Sequence, residues 1–68
     1  MQITLNNRPE EITGITELSV QELITLKNFT FHMLVTKVND KLVKKQVRSE
    51  AIIKEGDDVV VMHLISGG

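Results

Sequence analysis

One six-residue stretch, Leu18-Ser19-Val20-Gln21-Glu22-Leu23, restricts the folds open to this chain more than any other segment. A serine followed three residues later by a glutamate is a capping box. The serine hydroxyl accepts from the backbone N–H of Glu22, and the glutamate side chain reaches back to the N–H of Ser19. Leu18 before the cap and Leu23 four residues after it are spaced as a hydrophobic staple. The pattern predicts a helix from about Val20 to Lys27, with Val20, Leu23, Ile24 and Leu26 on its apolar side. Lys27 suits the negative end of the helix dipole, and Asn28 can take the left-handed stop. With 68 residues there is room for one core only, so whatever surrounds this helix must cover it.

The remaining segments read as strands. Gln2-Ile3-Thr4-Leu5-Asn6 alternates polar and apolar, the period of a half-buried strand, with Ile3 and Leu5 facing inward. Asn6-Asn7-Arg8-Pro9 is turn chemistry, and Glu10 to Thr13 can return as a second strand with Ile12 inward. Met33 to Asn39 reads as a central strand. Asp40-Lys41 can turn the chain into a short strand at Leu42-Val43, and residues 44 to 53 are charged and irregular. Glu55-Gly56-Asp57-Asp58 is a turn in which Gly56 is the natural positive-φ residue. It leads into Val59 to Ile65, the most β-prone run of the chain. The order β-β-α-β-β-β describes an α+β protein with a sheet packed on one helix. Phe29 and Phe31, the only aromatic residues, are expected to close the bottom of the core.

Several function classes are disfavoured. The formal net charge is −1 with both signs interspersed, whereas a protein that holds nucleic acid through its phosphates usually carries a basic excess. Lys41, Lys44, Lys45 and Arg48 form the densest positive cluster, to be read first as solvated surface and otherwise as a docking rim for an acidic partner. There are no cysteines, hence no thiolate chemistry and no disulfides. His32 and His63 lack metal-ligand spacing, and His63 is expected to be a partly buried, hydrogen-bonded structural histidine. Ser49 and Ser66 lack a base arranged to activate them, and no phosphate loop occurs. No secretory signal and no long apolar run is visible, so a cytoplasmic protein is expected.

Strand alternation makes a sharper prediction. If Val59 and Val61 point at the helix, Val60, Met62 and Leu64 point away from it. If Leu34, Thr36 and Val38 point inward, Met33 and Val35 join them on the open face. Such a patch marks a binding surface, unless a loop covers it. The tail Ile65-Ser66-Gly67-Gly68 follows directly. Glycines can enter a narrow channel with backbone angles closed to other residues. Extended from Leu64, the tail reaches roughly 16 Å at ~3.3 Å per residue. The plain alternative is a frayed glycine end.

These features resemble the ThiS family, the sulfur carriers of thiamine thiazole synthesis, within the ubiquitin-like β-grasp group. The resemblance spans nearly the whole chain. It rests on Val38-Asn39 with Leu42-Val43, on Gly56-Asp57 with Val59, Val61 and His63, and on the terminal Gly67-Gly68. Ser19-Val20 with Leu23-Ile24 resembles the family's helix start. Gln46-Val47-Arg48-Ser49-Glu50 resembles its Val-Pro-Arg-Ser-Glu loop without the proline, and the stretch from Arg48 to Gly56 is shorter. Ser66 stands where many members have a third glycine.

The resemblance implies a β-grasp domain over residues 1–68, with a mixed four- to five-stranded sheet on one helix and a flexible tail at 66–68. It implies that the Gly68 carboxylate, with Gly67 beside it, is adenylated and converted to a thiocarboxylate. The chain would then be a co-substrate rather than an enzyme. It would bind no cofactor itself, with ATP and Mg²⁺ held by the adenylating partner. The implied partners are a ThiF-like adenylating enzyme, the thiazole synthase and a sulfur donor protein. Neither nucleic acid nor membrane is expected, and the chain is expected to be a monomer. Met33, Val35, Val60, Met62, Leu64, Ile65 and Ser66 would form the partner-binding surface. Two other readings stand beside this one: the small subunit of molybdopterin synthase, or another sulfur-transfer pathway, and a non-reacting ubiquitin-like interaction module.

Overall fold

A computed structural model describes residues 1–30 and 33–64. The expectations for Phe31, His32, Ile65, Ser66, Gly67 and Gly68 therefore lie outside the described residues. Strand β1 (Gln2–Leu5) buries Ile3 and Leu5 and turns at Asn6-Asn7 into β2 (Arg8–Glu11). Both asparagines have positive φ, 52° and 67°, the twist a two-residue hairpin requires and one that asparagine tolerates better than most residues. β2 begins earlier than the sequence predicts and takes in Pro9, opposite Thr4. The Thr4 N–H points to the other neighbour of β1, at Asp57 O, so the nitrogen of Pro9 faces the open edge and no ladder bond is lost. Ile12 is buried just beyond the strand.

After a three-residue strand, β3 (Glu17–Ser19), comes helix α1 (Val20–Leu26). The capping box forms as predicted: Glu22 N–H donates to Ser19 Oγ at 3.0 Å, and Ser19 N–H donates to Glu22 Oε1 at 2.8 Å. Asn28 has the left-handed φ of 59°. Lys27 closes the helix and pairs with Glu10 at 2.7 Å, an exposed ion pair of little energetic weight. Val20, Leu23 and Ile24 are buried, but Leu26 is 54% exposed. At 3.6 residues per turn Leu26 lies roughly 110° from the centre of the face made by those three, so it does not belong to the apolar side.

Strands β4 (Leu34–Val38) and β5 (Lys41–Val43) form a hairpin. The turn falls on Asn39-Asp40, both at positive φ, rather than on Asp40-Lys41. A 3₁₀ turn (Lys45–Val47), strand β6 (Ile52–Lys54) and strand β7 (Asp58–His63) complete the described chain. Gly56 takes φ 83° ahead of β7, as the sequence predicts. β6, which begins at the end of the segment that reads as irregular, pairs antiparallel with β3, Leu18 opposite Ile53.

The main sheet has five strands in the order β2-β1-β7-β4-β5. The neighbouring strands β1 and β7, from opposite ends of the chain, are parallel, and every other neighbouring pair is antiparallel. α1 crosses one face. Ile3, Leu5, Val43, Val59 and Val61 from the sheet meet Val20, Leu23 and Ile24 from the helix, with Leu18 and Ile53 of the small sheet closing the side. Phe29 packs half-buried against this core.

Candidate functional site at the open face of the sheet

The face of the sheet turned away from α1 carries the apolar surface that alternation predicts. Val59 and Val61 are buried, while Met62 and Leu64 are 47% and 46% exposed and Val60 is half-buried. On β4 the buried Thr36 and half-buried Leu34 and Val38 face the core side, and Val35 faces out. Met33, just before β4, is 52% exposed.

Register turns these residues into rungs. Val35 lies opposite Met62 and Lys37 opposite Val60, and the N–H of Leu64 donates to Met33 O at 2.9 Å. Side chains so placed are near neighbours on one face. Leu42 on β5, opposite Lys37 and 60% exposed, extends the patch by one strand. The sequence signal for Leu42 was the alternation with the buried Val43. Among the described residues no loop covers the patch.

The basic cluster behaves differently from expectation. Lys41, Lys44 and Lys45 are exposed, but Arg48 is buried. Its Nε donates to Thr36 Oγ1 at 3.1 Å and its Nη2 to Leu34 O at 2.6 Å, while the Thr36 hydroxyl donates to Val43 O at 2.6 Å. Arg48 is therefore part of the fold and not of a solvated or docking rim. His63 is exposed rather than partly buried, at the end of β7. Among the described residues no three of His, Asp and Glu come together as a metal site, and no helix is long and apolar enough to cross a membrane. The predicted reactive residues Gly67 and Gly68, and Ile65 and Ser66 of the predicted docking surface, follow Leu64 outside the described residues.

A mixed sheet whose first and last strands run parallel at its middle, clasped on one helix and leaving an apolar open face, defines a ubiquitin-like β-grasp protein. Within that class the comparisons are specific. The ThiS family model matches residues 3–68, and the chain belongs to the ThiS family, whose members are small sulfur carriers and not enzymes. The fold is similar to the crystal structure of a thiamine biosynthesis protein (ThiS) from Geobacter metallireducens, with a TM-score of 0.87 and 26% identity over 100% of both chains. It is also similar to the solution structure of a thiamine biosynthesis protein from the same organism, with a TM-score of 0.79 and 26% identity over 100% of this chain and 88% of that one. No curated protein matches the sequence.

Proposed function

We propose that the protein carries sulfur as a thiocarboxylate on Gly68 for thiamine thiazole synthesis. A carboxylate is a poor electrophile because it is charged and has no good leaving group. In the proposed reaction a carboxylate oxygen of Gly68 attacks the α-phosphorus of ATP and displaces pyrophosphate. Hydrosulfide then adds to the acyl carbon of the resulting adenylate and expels AMP, leaving C–S where C–O had been. ATP and Mg²⁺ belong to a ThiF-like adenylating partner. This chain supplies the acyl group, a slim glycine arm without side chains and the surface that docks. The acceptor of the sulfur is the thiazole synthase.

The observation that supports this reading most is the family match continuing through residue 68, beyond a strand whose exposed side chains Met62 and Leu64 adjoin the point of departure. The relative's role in thiamine biosynthesis supports thiazole as the destination. The test is intact-mass analysis after incubation with the adenylating enzyme, Mg-ATP and sulfide. Replacement of one oxygen by sulfur is expected, and deletion of Gly68 abolishes it. An unchanged mass, under conditions that convert a known carrier, would leave only a non-reacting binding module.

A further inference from the structure

Two side chains far apart in sequence complete the sheet at the same end. β1 pairs with β7 only at Thr4 and Leu5, opposite Asp58 and Val59. One more backbone bond follows, from Asn6 N–H to Val59 O at 2.9 Å, and there the backbone pairing ends, yet Val61 is not left without a partner. The Asn6 side chain takes the place of a strand: its Nδ2 donates to Val61 O at 3.1 Å, and its Oδ1 accepts from Val61 N–H at 2.8 Å. Asn6 thus has two roles, one in the hairpin turn and one as a substitute rung.

The far side of the β4–β7 pair repeats the device. The backbone bonds from Asn39 to Asp58 and from Leu64 to Met33 fix which residues of β4 bond to β7, and by alternation Leu34, Thr36 and Val38 direct their backbone groups to β5. β5 pairs with Thr36 through Val43 and with Val38 through Lys41. The same register would set Lys45 opposite Leu34, but there the chain has entered its 3₁₀ turn. The Arg48 guanidinium fills the gap by donating to Leu34 O, braced by Thr36 Oγ1. Leu34 is the cross-strand partner of His63, one residue before Leu64.

We infer that Asn6 and Arg48 are positioning residues: together they prolong β4 and β7 past the ends of their neighbours and so hold the backbone at Leu64 in place. A reactive tail gains from a fixed point of departure, because displacement of reacting atoms by about 1 Å can cost orders of magnitude in rate. The inference rests on the sulfur-carrier reading for its consequence, but its physical content is independent of it.

The variants are Asn6→Gly, which suits the positive φ and removes the side-chain rung, and Arg48→Met, which keeps an apolar stem. Amide exchange at Leu64 N–H is compared with that at Val20 N–H, whose bond to Ala51 O lies in the core. Leu64 is expected to exchange about tenfold faster in either variant, with Val20 changed less than about threefold. With the adenylating enzyme, Mg-ATP and sulfide, kcat is expected to fall about tenfold while the KM for the carrier stays put. Unchanged exchange at Leu64 overturns the inference whatever the chemistry does. Faster exchange with an unchanged kcat overturns the link to reactivity. Should Arg48→Met fail to fold, Asn6→Gly decides alone. A wild-type protein that gains no sulfur instead defeats the carrier proposal, and the exchange measurement still decides whether the two side chains fix Leu64.

Discussion

β7 has two apolar faces with opposite fates. Val59 and Val61 are sealed against α1, and burying each contributes roughly 1.5–3 kcal/mol. Met62 on the other face, and Leu64 just past the end of the strand on the same side, remain nearly half exposed and give the fold little. A run apolar on both sides is what a strand covered on both faces looks like. Here the molecule supplies one cover, the helix. In the proposed carrier the second is supplied by whichever enzyme docks. The difference teaches that hydrophobicity in such a small protein is divided between folding and binding by the parity of the residue number.

Substitutions at adjacent positions test that division. Val61→Asp is expected to abolish folding, since an unpaired carboxylate inside the core that Val61 shares with Val20 and Leu23 costs several kcal/mol, comparable to the whole stability of a small domain. Circular dichroism would show it, and a native-like spectrum would mean that the inner face is not the core. Ser19→Ala tests the cover rather than the strand: loss of the cap is expected to lower the urea-derived stability by about 1 kcal/mol. A change near zero would show that α1 is held by packing alone. Met62→Asp, one residue from Val61, is expected to shift stability by less than about 0.5 kcal/mol while weakening binding to the adenylating enzyme at least about tenfold. Calorimetric titration measures the second effect. Wild-type affinity would remove this face from the docking surface.

Both faces of β7 were legible because alternation is a local rule. Once Val59 is inward, Met62 and Leu64 are outward, and the same logic placed Met33 and Val35 beside them. The capping box and the Gly56 turn were legible for a similar reason, each depending on atoms within four residues. The errors also have physical causes. Leu26 was assigned to the buried side on apolarity, but the helix is short and its angular position wins. Arg48 was placed with solvated lysines, because nothing in its neighbours reveals the Leu34 carbonyl waiting where β5 ends. β3 and β6 were missed because a three-residue strand has too little length to show a period.

Local sequence is enough to say where the helix starts, where the chain reverses before its last strand, and which side chains of that strand share a face. All of these are set by bonds or sterics between near neighbours. Tertiary structure alone decided that Leu18 lies opposite Ile53, that Asn6 serves as a rung for Val61, and that Arg48 is drawn inside to meet Leu34 and Thr36. Each of these satisfies a backbone group or buries a side chain with a partner more than ten residues away, and such partners exist only once the sheet has closed on the helix.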